Sequence, residues 1–221
     1  AQWHARAAGG LEGLDPRGAA RHWHEVLSLL EPLDDFPENA TLRAESCLKL
    51  VSLWDHAGLP SEQIERAFEQ SRALLETSGD QASRLQLYRS YALRELVEGS
   101  ALEANRWLGE AIQIADERGE PALSLVLRTW RALAELLAGE LSSALSAAEA
   151  ISIETEGDVS RGARELGRAP VEELIQYVHP LDQSLTPGLS PYAVAQFIRG
   201  TSLWRQGDLA AARVLSLCRM R

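Results

Sequence analysis

Glycine recurs along this sequence at a fixed interval, and the interval limits what the chain can become. Gly58, Gly99 and Gly139 stand 41 and 40 residues apart, and Gly79 and Gly119 stand 40 apart. Between them run segments with apolar residues at i, i+3, i+4 and i+7, the spacing of a helix with one buried face. Two interleaved ladders of one period describe a repeated unit of two helices and two turns. Such a unit leaves its apolar face bare unless a neighbour stacks on it. No strand-like alternation of useful length is present. The expected fold is all-α: a right-handed alpha-alpha superhelix of antiparallel helix pairs, as one domain over residues 1–221.

Taken in order, residues 2–8 make a short helix limited by Gly9 and Gly10. Asp15-Pro16 then opens a helix through about residue 30, an N-cap followed by a proline at the first helical position. Trp23, Val26, Leu27 and Leu30 lie on its apolar face. Residues 31–37 are a break, and a helix carrying Cys47 follows from about 38 to 56. Pro60-Ser61 begins the next, through about 78, and Gly79-Asp80 divides it from one ending at Gly99. Ser100-x-x-Glu103 reads as a capping box, a reciprocal pair of side-chain to backbone bonds. Leu123, Val126, Leu127, Trp130, Leu133, Ala134 and Leu137 keep strict helical spacing. After Gly139 an Ala-rich helix runs to about Ile153.

The pattern breaks between Glu154 and Leu189, where Gly157, Gly162, Gly167, Pro170, Pro180, Pro187 and Gly188 fall. Only residues 171–178 look helical there. Residues 154–189 are expected to be an irregular insertion packed in order against the repeats. Ser190-Pro191 opens a last complete helix with Val194, Phe197, Ile198, Thr201 and Trp204 at helical spacing, closed by Gly207.

A net charge of −10 argues against a nucleic-acid partner, whose phosphates call for cationic side chains. Two cysteines far apart, Cys47 and Cys218, suit a reduced, cytoplasmic setting rather than a disulfide framework. No run of 18 apolar residues and no secretory segment appears, so neither membrane spanning nor export is expected. The chain starts without Met and ends in an apolar helical pattern at Val214, Leu215, Leu217 and Cys218. It is expected to be a piece of something longer.

Small residues stand seven before and five after the turn glycines: Gly200 and Ala212 around Gly207, Ala132 and Ala144 around Gly139, Ala92 and Ala104 around Gly99. In this the chain resembles tetratricopeptide-type (TPR-like) repeats. Gly58 departs, with Val51 before it and Pro60 after, and the period is longer than the family's usual one. The run Leu189-Ser190-Pro191-Tyr192, with Arg199-Gly200 and Trp204-x-x-Gly207-Asp208-Leu209, resembles the degenerate repeats of bacterial signalling ATPases, transcriptional regulators and multidomain nucleotide cyclases. The resemblance implies binding of a protein segment, a neighbouring domain or a small inducer, without catalysis. It carries the family's concave groove onto Glu45, Leu48, Ser52, Asp55 and Gln86, and onto nine binding candidates. These are Arg89, Leu93, Val126, Thr129, Leu133, Val194, Phe197, Thr201 and Trp204. An apolar groove of this kind accepts an amphipathic helix or a small ligand. The competing reading is that the insertion, or tight closure of the superhelix, fills it.

Candidates for chemistry are sparse. His22 and His24 are two apart, about 200° around a helix, and do not share a metal. His22 with Glu25, at i, i+3, could, but such a pair is more often a solvated face. His56 ends a helix, where a cation complements the dipole, and His179 has no evident partner. Cys47, between Ala44 and Leu48, reads as a small core residue without a paired base. Arg161, Arg164 and Arg168 form the largest local basic cluster, an anion site if helical. Gly162 and Gly167 oppose a helix there, and Glu156, Asp158 and Glu165 are at hand to pair the arginines. There is no phosphate-binding GxxxxGK[ST], and no cofactor or metal is expected. Self-association through the C-terminal apolar pattern is the alternative function, and an α-helical hydrolase or lyase a more distant one.

Overall fold

The computed structural model describes residues 1–33, 37–54, 59–165, 191–208 and 211–212, with backbone alone at 37, 156–165 and 193. Among the described residues the regular elements are all helices: α1 (Gln2–Leu11), α2 (Pro16–Leu30), α3 (Pro37–Ser52), α4 (Ser61–Ser78), α5 (Gln81–Glu98), α6 (Ala101–Glu117), α7 (Pro121–Ala138), α8 (Leu141–Glu165) and α9 (Pro191–Arg205). The chain divides into two compact units, Ala1–Arg94 and Glu95–Arg221, with the boundary inside α5.

In the first unit α1 packs on α2, α2 on α3 and α3 on α4. Asp15 caps α2 as its sequence position predicts, accepting the Gly18 N–H at 2.9 Å with Pro16 just inside. Trp23, Val26 and Leu30 are buried along one face. The indole of Trp23 donates to Glu12 (3.1 Å), whose other oxygen takes the Lys49 ammonium from α3 (2.9 Å), so three helices meet on one carboxylate. The N-terminal part of α5 brings Ser90 to Ser52 (3.3 Å) and stacks Tyr91 on Phe68 at 3.8 Å between centroids. The first helix runs three residues further than its glycines suggest. Each glycine costs about 1 kcal/mol relative to alanine, and packing of α1 on α2, with Ala8 fully buried, outweighs it.

In the second unit α6 packs on α7, α7 on α8, α8 on α9, and α9 also on α7. The centre is a cluster of Ala132, Leu136, Ala144, Ala148, Ile151, Ala195 and Ile198. Ala132 and Ala144, the small residues flanking Gly139, both lie in it without solvent exposure. Small side chains at these places let helix backbones approach closely.

The turns explain the glycine interval. Gly79, Gly99, Gly119, Gly139 and Gly207 all have positive φ, from 69° to 93°, a region open to glycine at no steric cost. After four of them the next residue's N–H reaches back five: Ser100 to Glu95, Glu120 to Ala115, Glu140 to Glu135 and Asp208 to Leu203, at 2.8–2.9 Å. That bond satisfies carbonyls a helix end otherwise leaves bare. It also cancels the expected capping box. The Ser100 N–H is already given to Glu95, and Ser100 makes no side-chain cap. Glu103 turns instead towards Arg106 (3.7 Å). Gly58 lies outside the described residues.

The helix after Gly139 also runs past its expected end. It does not stop near Ile153 but continues to Glu165, through Gly157 and Gly162. Two isolated glycines weaken a helix without breaking it, and no proline arrives until Pro170. The remainder of the expected insertion, residues 166–189, lies outside the described residues.

Candidate functional site

The last complete helix divides its apolar residues between two faces. Ala195, Ile198 and Ser202, at i, i+3 and i+7, are fully buried against the core of the second unit. Val194, Phe197, Thr201 and Trp204, at i, i+3, i+7 and i+10, line the adjacent flank. Val194 and Thr201 are half-buried, whereas Phe197 is 51% and Trp204 62% exposed. Seven residues are almost two turns, so the two aromatic rings project from one side of α9.

Polar bonds hold α9 in place. Gln196 donates to the Ser152 hydroxyl of α8 (3.3 Å). Arg205 donates to the Leu136 carbonyl (3.3 Å), in the last turn of α7 where a cation suits the helix dipole. On α7, Leu133 and Val126 are half-buried and Thr129 is buried, its hydroxyl donating to Leu125 O (2.8 Å). Leu133 and Val194 meet against the same core cluster. The remaining candidates, Arg89 (half-buried) and Leu93 (buried), belong to the first unit. Arg161 and Arg164 fall within the backbone of α8, and Arg168 lies outside the described residues, as do Asp55, His56 and His179.

Cys47 is fully buried, its thiol 3.5 Å from the Gln70 side-chain oxygen. Burial pushes the thiol up to about 12, with Arg43 pulling weakly the other way, so it stays protonated and unreactive at neutral pH. On α7, Glu135 is buried and faces Arg131 at 3.5 Å. Its second oxygen, like the Ser202 hydroxyl, has no hydrogen-bond partner among the described residues. Neither group sits in a nucleophile–base pair among the described residues. No helix among the described residues is long and apolar enough to cross a membrane, and no three His, Cys, Asp or Glu side chains there gather into a metal-binding group.

One pairing escaped the sequence reading. His4 of α1 and His22 of α2 meet Nδ1 to Nδ1 at 2.9 Å, with Trp3 edge-on to both rings. The signal was present: in a helical hairpin, residues equidistant from the turn face each other, and both stand nine from Gly13. No protein-family model matches the chain, and no curated protein matches it.

Proposed function

We propose that this chain is a non-catalytic, tetratricopeptide-like binding module whose second unit receives an amphipathic protein segment along α9. The carrying observation is the flank of α9 itself. Phe197 and Trp204 stand half or more exposed on a helix whose other apolar face is already fully used. Exposed aromatic anchors beside a half-buried apolar floor are what helix-in-groove recognition employs. The resemblance of the segment around α9 to bacterial signalling and transcription regulators suggests the setting, in which the bound segment would bias the regulator's active state.

The test is a selection of displayed 15–20-residue peptides on the wild-type chain, followed by calorimetry against Phe197→Ala and Trp204→Ala. Anchors of this kind carry about 2 kcal/mol or more each, so the selected peptides should be amphipathic and bind either variant at least tenfold more weakly. Binders indifferent to both substitutions would refute the assignment. A small-molecule inducer, or a second copy of the chain seen by sedimentation, would replace the peptide as occupant.

A further inference from the structure

We infer that His4 and His22 form a two-imidazole site for a divalent transition-metal ion of the zinc class, joining α1 to α2. The two Nδ1 atoms point at each other across 2.9 Å, with ring centroids 5.1 Å apart and ring planes inclined by 51°. A contact this short between two imidazole nitrogens requires one to be N–H and the other a bare lone pair. Moving the donor's proton from its Nδ1 to its Nε2 is a change of tautomer, with no net gain or loss of protons. It leaves two lone pairs facing each other along the Nδ1–Nδ1 line, since nitrogens 2.9 Å apart with ring centroids at 5.1 Å put the two rings nearly end to end.

A tetrahedral zinc ion with bonds of 2.0–2.1 Å sets its ligand nitrogens about 3.3–3.4 Å apart. The pair therefore opens by about half an ångström and each ring turns by roughly 35°, so that the lone pairs meet at the tetrahedral angle, a change of side-chain torsions on two partly exposed residues. Trp3 stands edge-on to both rings, at 5.0 and 5.7 Å with interplanar angles of 86° and 76°, and walls one side of the pair. No third His, Cys, Asp or Glu side chain gathers with the pair among the described residues. Water or an external ligand completes the shell, which makes this an open site of modest affinity rather than a closed structural one. Imidazole ligands suit zinc, copper and nickel, and exclude magnesium and calcium.

The test is a titration of the full chain with zinc chloride at constant pH, read by calorimetry and by proton–nitrogen correlation of the histidine rings. The expected result is one zinc ion per chain, with the His4 and His22 Nδ1 resonances moving together and those of His24 unmoved. His4→Ala and His22→Ala should each weaken binding at least about tenfold, since even the loss of an outer-shell partner costs that much. His24→Ala, an exposed neighbour on α2, should leave affinity unchanged. Zinc binding that survives both substitutions, that falls equally with His24→Ala, or that leaves the two rings unmoved in the wild type would overturn the inference.

Discussion

In the first unit, side-chain polar groups reach from helix to helix. Glu12 joins Trp23 to Lys49, Arg43 donates to the Leu30 carbonyl, Ser71 to the Ala44 carbonyl, and Ser52 meets Ser90. The second unit has such bonds too, Gln196 to Ser152 and Arg205 to the Leu136 carbonyl, but the centre of the contact among α7, α8 and α9 is built of Ala132, Ala144, Ala148 and Ala195, with Leu136, Ile151 and Ile198 between them. Directional bonds set the rotation of one helix against the next, and a broken one strands a polar group. Alanine contacts are not directional, but they leave no room for a larger side chain. The two units should therefore fail under different substitutions.

The largest effects are common to both, because each has a large side chain fully enclosed. Phe68→Ala should cost about 3–5 kcal/mol and Ile198→Ala about 2–5 kcal/mol in chemical denaturation. Substitutions that probe the difference come next. Ala148→Leu puts three extra carbons into a site with no exposure and should cost about 1–3 kcal/mol or more. Glu12→Ala strands the Trp23 indole N–H and should cost about 1–3 kcal/mol. If Ala148→Leu were neutral, the close-packed account of the second unit would be wrong; a neutral Glu12→Ala would break the polar account of the first.

A third probe is alkaline pH. The Cys47 thiol has its folded pKa raised from 9.0 to about 12 by burial, so the folded chain holds its proton where the unfolded chain releases it. The stability this contributes is whole below pH 9 and is lost as pH rises from 9 towards 12. At pH 10 the loss is on the order of 1 kcal/mol. In a Cys218→Ser background, Cys47→Ala should flatten that slope between pH 9 and 10 in urea titrations. An unchanged slope would place the thiol nearer solvent. The smallest effect belongs to Arg128→Gln. Its guanidinium grips Glu154 through two 2.8 Å bonds, which hold it above its ordinary pKa. Both side chains are more than a third exposed, so screening should keep the cost within about 1 kcal/mol.

Much of this fold was legible where local chemistry decides alone. The turn glycines need positive φ, Asp15-Pro16 needs only its own backbone to start a helix, and the alanines flanking Gly139 mark a close approach. The sequence was less informative where two elements compete for one group. The capping box at Ser100 failed because the preceding helix had already claimed its N–H. The α7 stripe was also shifted. Leu137, in the periodic set, is 54% exposed, while Ala132 and Leu136 are buried, since α7 is covered by α6, α8 and α9 and not by one neighbour. On α9 the spacing groups Phe197 with Ile198, and only the packing of α8 and α7 separates the free ring from the buried one. The His4–His22 pair required knowing which helices form the hairpin.

The proposed function depends on Phe197 and Trp204 being surplus to folding, and paired denaturation curves read that directly. Phe197→Ala and Trp204→Ala should each leave the midpoint within about 0.5 kcal/mol of wild type, while Ile198→Ala, next to Phe197 on the same helix, should lower it by about 2–5 kcal/mol. Losses of equal size in all three variants would mean that the α9 flank is part of the core, and would contradict the binding face.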